Sequence, residues 1–60
     1  MLKEYDVVRL RRIVSTIPLP LSTEGTVLIV HPTDPPAYEV EFLDDEGKSL
    51  GTHTVEDADL

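Results

Sequence analysis

Sixty residues, no cysteine and a formal charge of −7 bound this chain tightly. Such a length makes one domain, which buries only about 60% of the surface its unfolded chain exposes. Without cysteine no disulfide or thiolate zinc site can reinforce the core, and twelve acids against five bases count against the cationic face that non-specific binding to a phosphate backbone needs.

Helical periodicity is absent, and prolines at 18, 20, 32, 35 and 36 divide the chain into short runs rich in β-branched residues. The first run is Asp6 to Val14. In it Val8 and Leu10 alternate with Arg9 and Arg11, which puts the two arginines on the face opposite the core. The alternation shifts at Arg12-Ile13-Val14, where a bulge or strand end is expected. Residues 15–24 read as a loop of unusual apolarity, with Ile17, Leu19 and Leu21 interleaved by Pro18 and Pro20.

Gly25 to His31 is the clearest strand. Its unbroken apolar character predicts a central position, and Gly25 predicts a tight start or a positive φ. Pro32 to Pro36 then turns the chain. In Ala37-Tyr38-Glu39-Val40-Glu41-Phe42 the alternation is strict, with Tyr38, Val40 and Phe42 inward and Glu39 and Glu41 outward. Asp44-Asp45-Glu46-Gly47 has the chemistry of a type I turn with a bulge glycine, after which Ser49 to Val55 returns as a strand. Glu56 to Asp59 reads as a short turn of 3₁₀ type. The expected fold class is all-β, a small SH3-like barrel of four to five antiparallel strands spanning residues 1–60.

The Gly25-Thr26-Val27 step, the Tyr38-to-Phe42 strand, the acidic glycine turn and the closing Thr54-Val55 and Asp59-Leu60 pairs resemble domain of unknown function family 4926, a family of small bacterial proteins. The resemblance covers nearly the whole chain. It implies a stand-alone SH3-like barrel with no assigned activity, encoded beside other small proteins as antitoxins and immunity proteins are. Two departures stand out. Relatives tend to carry a second glycine shortly before the Gly-Thr-Val step, where this chain has Ser22-Thr23-Glu24, and they often run a few residues beyond Leu60.

No catalytic constellation emerges. His31 and His53 have no second histidine at ligand spacing. The Asp44-to-Gly47 turn fails as a calcium loop, because aligning its glycine puts Phe42 and His53 where carboxylates are required. Glu39 and Glu41 share a hydrated strand face rather than a cleft, and no serine or threonine has a His–acid pattern around it. Neither cofactor nor metal is expected, and the chain reads as no enzyme.

Two surfaces remain as binding candidates. Arg9 and Arg11 form the one basic spot, to be used either by glutamates of a neighbouring strand or by a partner's carboxylate or phosphate. Ile17, Leu19 and Leu21 either cap the open end of the barrel or stand exposed as an interface. Residues 34–60 carry nine acids against Lys48, while residues 1–33 sum to +1, an asymmetry that can steer a basic partner. The expected function is a non-enzymatic protein-interaction module, in its most concrete form an antitoxin or immunity-type partner. The alternatives are a structural homo-oligomer or an RNA-associated module, the last opposed by the net charge. No signal peptide or membrane-spanning run is visible, and a cytoplasmic location is expected.

Overall fold

The computed structural model describes residues 1–60. Four strands, β1 (Val7–Arg9), β2 (Glu24–His31), β3 (Ala37–Leu43) and β4 (Ser49–Glu56), are followed by a 3₁₀ turn at Asp57–Asp59. They form one antiparallel sheet in the order β1-β2-β3-β4. This is an all-β chain with an open four-stranded sheet, consistent with a small SH3-like barrel. No helix is long and apolar enough to cross a membrane.

The alternation read from β3 is the register observed. Tyr38, Val40 and Phe42 are fully buried, while Glu39 and Glu41 lie on the other face at intermediate exposure. They meet Val8, Leu10, Ile17, Val27 and Val55 in one core. That core is small: Val8, Val27, Tyr38, Val40, Phe42 and Val55 come from the four strands, and Leu10 and Ile17 from the segment between β1 and β2.

The unbroken apolar run of β2 has a specific cause. Val27 pairs with Val40 but Ile29 pairs with Glu39, so Leu28 is an extra residue in the ladder. The bulge resets the alternation. Ile29 therefore turns outward at 51% exposure, and Val30 packs inward beside Tyr38. A second bulge at Leu50 sits opposite the Phe42/Leu43 step, with Gly51 at φ 104°.

At the hairpin between β3 and β4 the Gly47 N–H donates to the Asp44 carbonyl at 3.0 Å and Gly47 adopts φ 80°. The Asp44 carboxylate also accepts the Glu46 and Lys48 N–H groups, each at 2.9 Å. An aspartate at the first position of a tight turn serves this way because its short side chain reaches its own backbone.

One expectation is corrected and two open alternatives are decided. The first strand ends at Arg9 rather than running to Val14. Leu10 still donates to the Thr23 carbonyl, but the Arg11 N–H leaves the sheet and bonds the Asp59 carbonyl at 2.7 Å. No fifth strand forms near Leu60, and that single backbone bond joins the C-terminal turn to the end of the first strand segment. Gly25 has no positive φ. It is glycine for space, because a Cβ there would lie 2.5 Å from Val40 Cγ1 and 3.1 Å from Phe42 Cδ1.

Candidate functional site

The loop between β1 and β2 folds back onto the core. Ile17 is 4% exposed and Leu19, half-buried, packs against the core, while Leu21 is 52% exposed. Two tight local bonds shape this path, Ile17 N–H to the Val14 carbonyl and Leu19 N–H to the Ile17 carbonyl, both at 2.9 Å. Ile17, Leu19 and Leu21 are therefore not a contiguous exposed patch. Ile17 is a core residue and is not available to a partner.

At the exit of this loop Ser22 adopts φ 67°. Its N–H donates to the Leu10 carbonyl at 2.7 Å and its own carbonyl accepts Arg9 Nη1 at 3.1 Å. A left-handed conformation favours glycine. Ser22 occupies it in the stretch where the family resemblance implies a glycine.

Arg9 and Arg11 are separated. Arg9 stands directly across from Glu24 in the β1–β2 ladder, and its Nη2 lies 3.2 Å from Glu24 Oε1. Both side chains are well exposed, so the pair contributes about 0–1 kcal/mol. Arg11 lies past the strand, exposed beside Leu2, Asp57 and Leu60 in a separate concavity. The Arg11 backbone has already left the β1–β2 ladder for the Asp59 carbonyl, so the two arginines do not share a surface.

The cation with the closest carboxylate partner is Arg12, whose Nε donates to Asp59 Oδ1 at 2.8 Å. Asp59 is the buried charged residue of the fold. Burial alone pushes its carboxyl up, but the Glu56 N–H at 3.0 Å and the Arg12 guanidinium outweigh this and hold it below the usual aspartate range. Sequence reading missed this contact, which joins two segments with no shared periodicity. An acid in a terminal turn opposite an arginine-rich bend was the available signal.

Tyr38 performs a similar task one strand away. Its hydroxyl donates to Asp57 Oδ1 at 2.6 Å and accepts the Leu2 N–H at 3.1 Å. Burial, reinforced by the Asp57 carboxylate, raises its pKa above the ordinary tyrosine value of 10.0.

The histidines are engaged by neighbours. His31 Nε2 lies 2.9 Å from Glu39 Oε2, and the Thr54 hydroxyl donates to the same carboxylate. These two hydrogen bonds hold Glu39 below the usual glutamate range. His53 is tilted against the Phe42 ring with centroids 6.0 Å apart. No group of three or more His, Asp or Glu side chains converges.

The largest concavity is an open groove of about 500 Å³ between the 20–24 segment and the β3–β4 hairpin. Leu43, Leu50 and Pro20 provide apolar surface there, while Glu24, Asp44 and Asp45 supply carboxylates and Arg9 one cation. Arg9 thus reaches the groove from β1, as the one sequence-selected arginine that does. Leu50 is exposed in the groove because the bulge at this point turns it out of the alternation. The groove can hold an apolar side chain and place a positive charge beside it.

A family model described as Domain of unknown function (DUF4926) matches residues 4–60. No curated protein and no solved structure matches the chain.

Proposed function

The chain belongs to the DUF4926 family, and on that footing we propose that it is a non-enzymatic protein-interaction module of the antitoxin or immunity type. The observation that carries this reading is the groove between the 20–24 segment and the β3–β4 hairpin. It joins the exposed Leu50 and half-buried Leu43 to the carboxylates of Asp44 and Asp45. An apolar floor beside fixed charge selects a partner by shape and sign together. The acidic balance of residues 34–60, nine acids against Lys48, extends the same preference across that half of the surface. The titratable side chains favour binding over chemistry, since His31, Glu39, Asp57 and Asp59 each bond a residue of the fold itself.

Affinity purification of the tagged chain from its native source, beside a Leu50→Asp variant, tests this. A single stoichiometric protein, retained by the parent chain and lost by the variant, is expected. A parent chain that elutes alone overturns the reading.

A further inference from the structure

β4 is the outermost strand of the sheet and pairs with β3 along one side. The Glu56 N–H points away from β3, because it bonds the Asp59 carboxylate. Residues whose N–H and C=O turn away from an antiparallel partner alternate along a strand. Thr54 and Thr52 therefore present their backbone groups to the same open side, where neither has a backbone partner.

Exposed edges are normally blunted by shortness, lysine, proline or a bulge. The β1 edge is short, and the chain beyond it is tied to Asp59 through the Arg11 N–H. β4 is eight residues long, and Ser49 to Val55 contains no charged residue and no proline. Its bulge at Leu50 protects the hairpin end alone.

Charge decides what fits this edge. Thr52 stands across from Glu41 and Thr54 across from Glu39, all four on the outer face. Threonine is short, so a long side chain on a strand laid beside β4 can pass over it to the glutamate behind. Glu39 is occupied by His31 and Thr54, whereas Glu41 forms no ion pair. A second copy of the chain would bring like charges together along this row.

We propose that the Thr52–Thr54 edge accepts an extended segment of a protein partner as an added strand, with a lysine or arginine opposite Thr52 that pairs with Glu41. Main-chain hydrogen bonds supply the affinity and the basic side chain supplies selection. The proposal rests on the interaction reading above and deepens it by naming the partner's chemistry and its seat.

The test is a titration of the isotope-labelled full chain with a peptide alternating lysine and valine, and with its glutamate counterpart, followed by amide NMR. Shifts and exchange protection at the Thr52 and Thr54 amides are expected with the lysine peptide alone. Glu41→Gln should weaken binding about five-fold at low salt, the upper range for an exposed pair. Thr52→Lys, which supplies the cation internally and blunts the edge, should weaken it by more than that. Both side chains lie on the outer face, and unchanged spectra away from β4 verify the fold. Absence of binding at millimolar peptide, equal binding of the glutamate peptide, or shifts confined to the Leu43 and Leu50 groove would each overturn the proposal. So would concentration-dependent β4 shifts without peptide, which assign the edge to a second copy. Failure of the interaction reading shows separately, as a chain that retains no protein from its native source.

Discussion

Arg12 Nε and Asp59 Oδ1 stand 2.8 Å apart although 47 positions separate them in the sequence. Around that contact gather the Arg11 N–H on the Asp59 carbonyl and the Glu56 N–H on the Asp59 carboxylate. Asp59 thus accepts from three donors and ties the chain just past β1 to the end of β4.

Asp59 should matter more than Arg12. Arg12 is more than half exposed, so Arg12→Ala is expected to cost about 0–1 kcal/mol. Asp59→Ala also leaves the Glu56 N–H without its acceptor, and the expected cost rises to about 1–3 kcal/mol. Urea unfolding of both single variants and the double variant measures the difference. Equal losses for the two single changes would contradict this division of roles.

Acid and alkali should act through different residues. The carboxyls of Asp59 and Glu39 are held below their ordinary values in the folded chain. Their stabilisation is complete above the unfolded carboxylate range and is lost as pH falls through the depressed folded values. Tyr38 has the opposite sign. Its raised pKa means that stabilisation present below pH 10.0 is lost as pH climbs through the folded value. Urea midpoints measured across pH should fall at both ends. Asp59→Asn should flatten the acid limb, and Tyr38→Phe the alkaline one.

Core substitutions should fail in two distinguishable ways at one contact. Val40→Ala or Phe42→Ala leaves a cavity and is expected to cost about 2–5 kcal/mol, comparable to the whole stability of a small domain. Gly25→Ala errs in the other direction, driving a methyl to 2.5 Å from Val40 Cγ1, with an expected cost of about 1–3 kcal/mol. Pairing Gly25→Ala with Val40→Ala should recover part of the loss, since the second change removes the clashing methyl. Thermal melts showing strict additivity would place the strain elsewhere.

Ser22→Gly should be neutral or stabilising. Serine at φ 67° bears a left-handed penalty of about 1–2 kcal/mol that glycine escapes, offset by the greater freedom glycine has when unfolded. A Tm at or above that of the parent is expected. A clear drop would mean that the Ser22 side chain, rather than its backbone, holds the loop exit.

Much of this fold is legible because its signals are local. The β3 alternation and the Asp44-to-Gly47 turn depend on residues within a few positions of one another, and both were read with their correct faces. What escaped depends on distance or on irregularity. Leu28 is an added residue that no period reveals, so Ile29 looked as buried as Val27. The length of β1 is set by where the Arg11 N–H finds its acceptor, 48 residues later at Asp59. Ile17 is buried because its loop folds inward, which its proline-flanked sequence leaves open. Of the candidate site, Arg9 was identified and the hairpin carboxylates were seen only as turn residues.

The clasp at Asp59 has a consequence for the order of folding. Strands β1, β2 and β3 can pair before the 57–59 turn is in place. Arg12, the Arg11 N–H and the Tyr38 O–H find their acceptors only once that turn has formed. Before that step the chain holds its sheet with the Arg12 guanidinium and the Tyr38 O–H still without an acceptor, so a late-forming turn of three residues decides when the fold is complete.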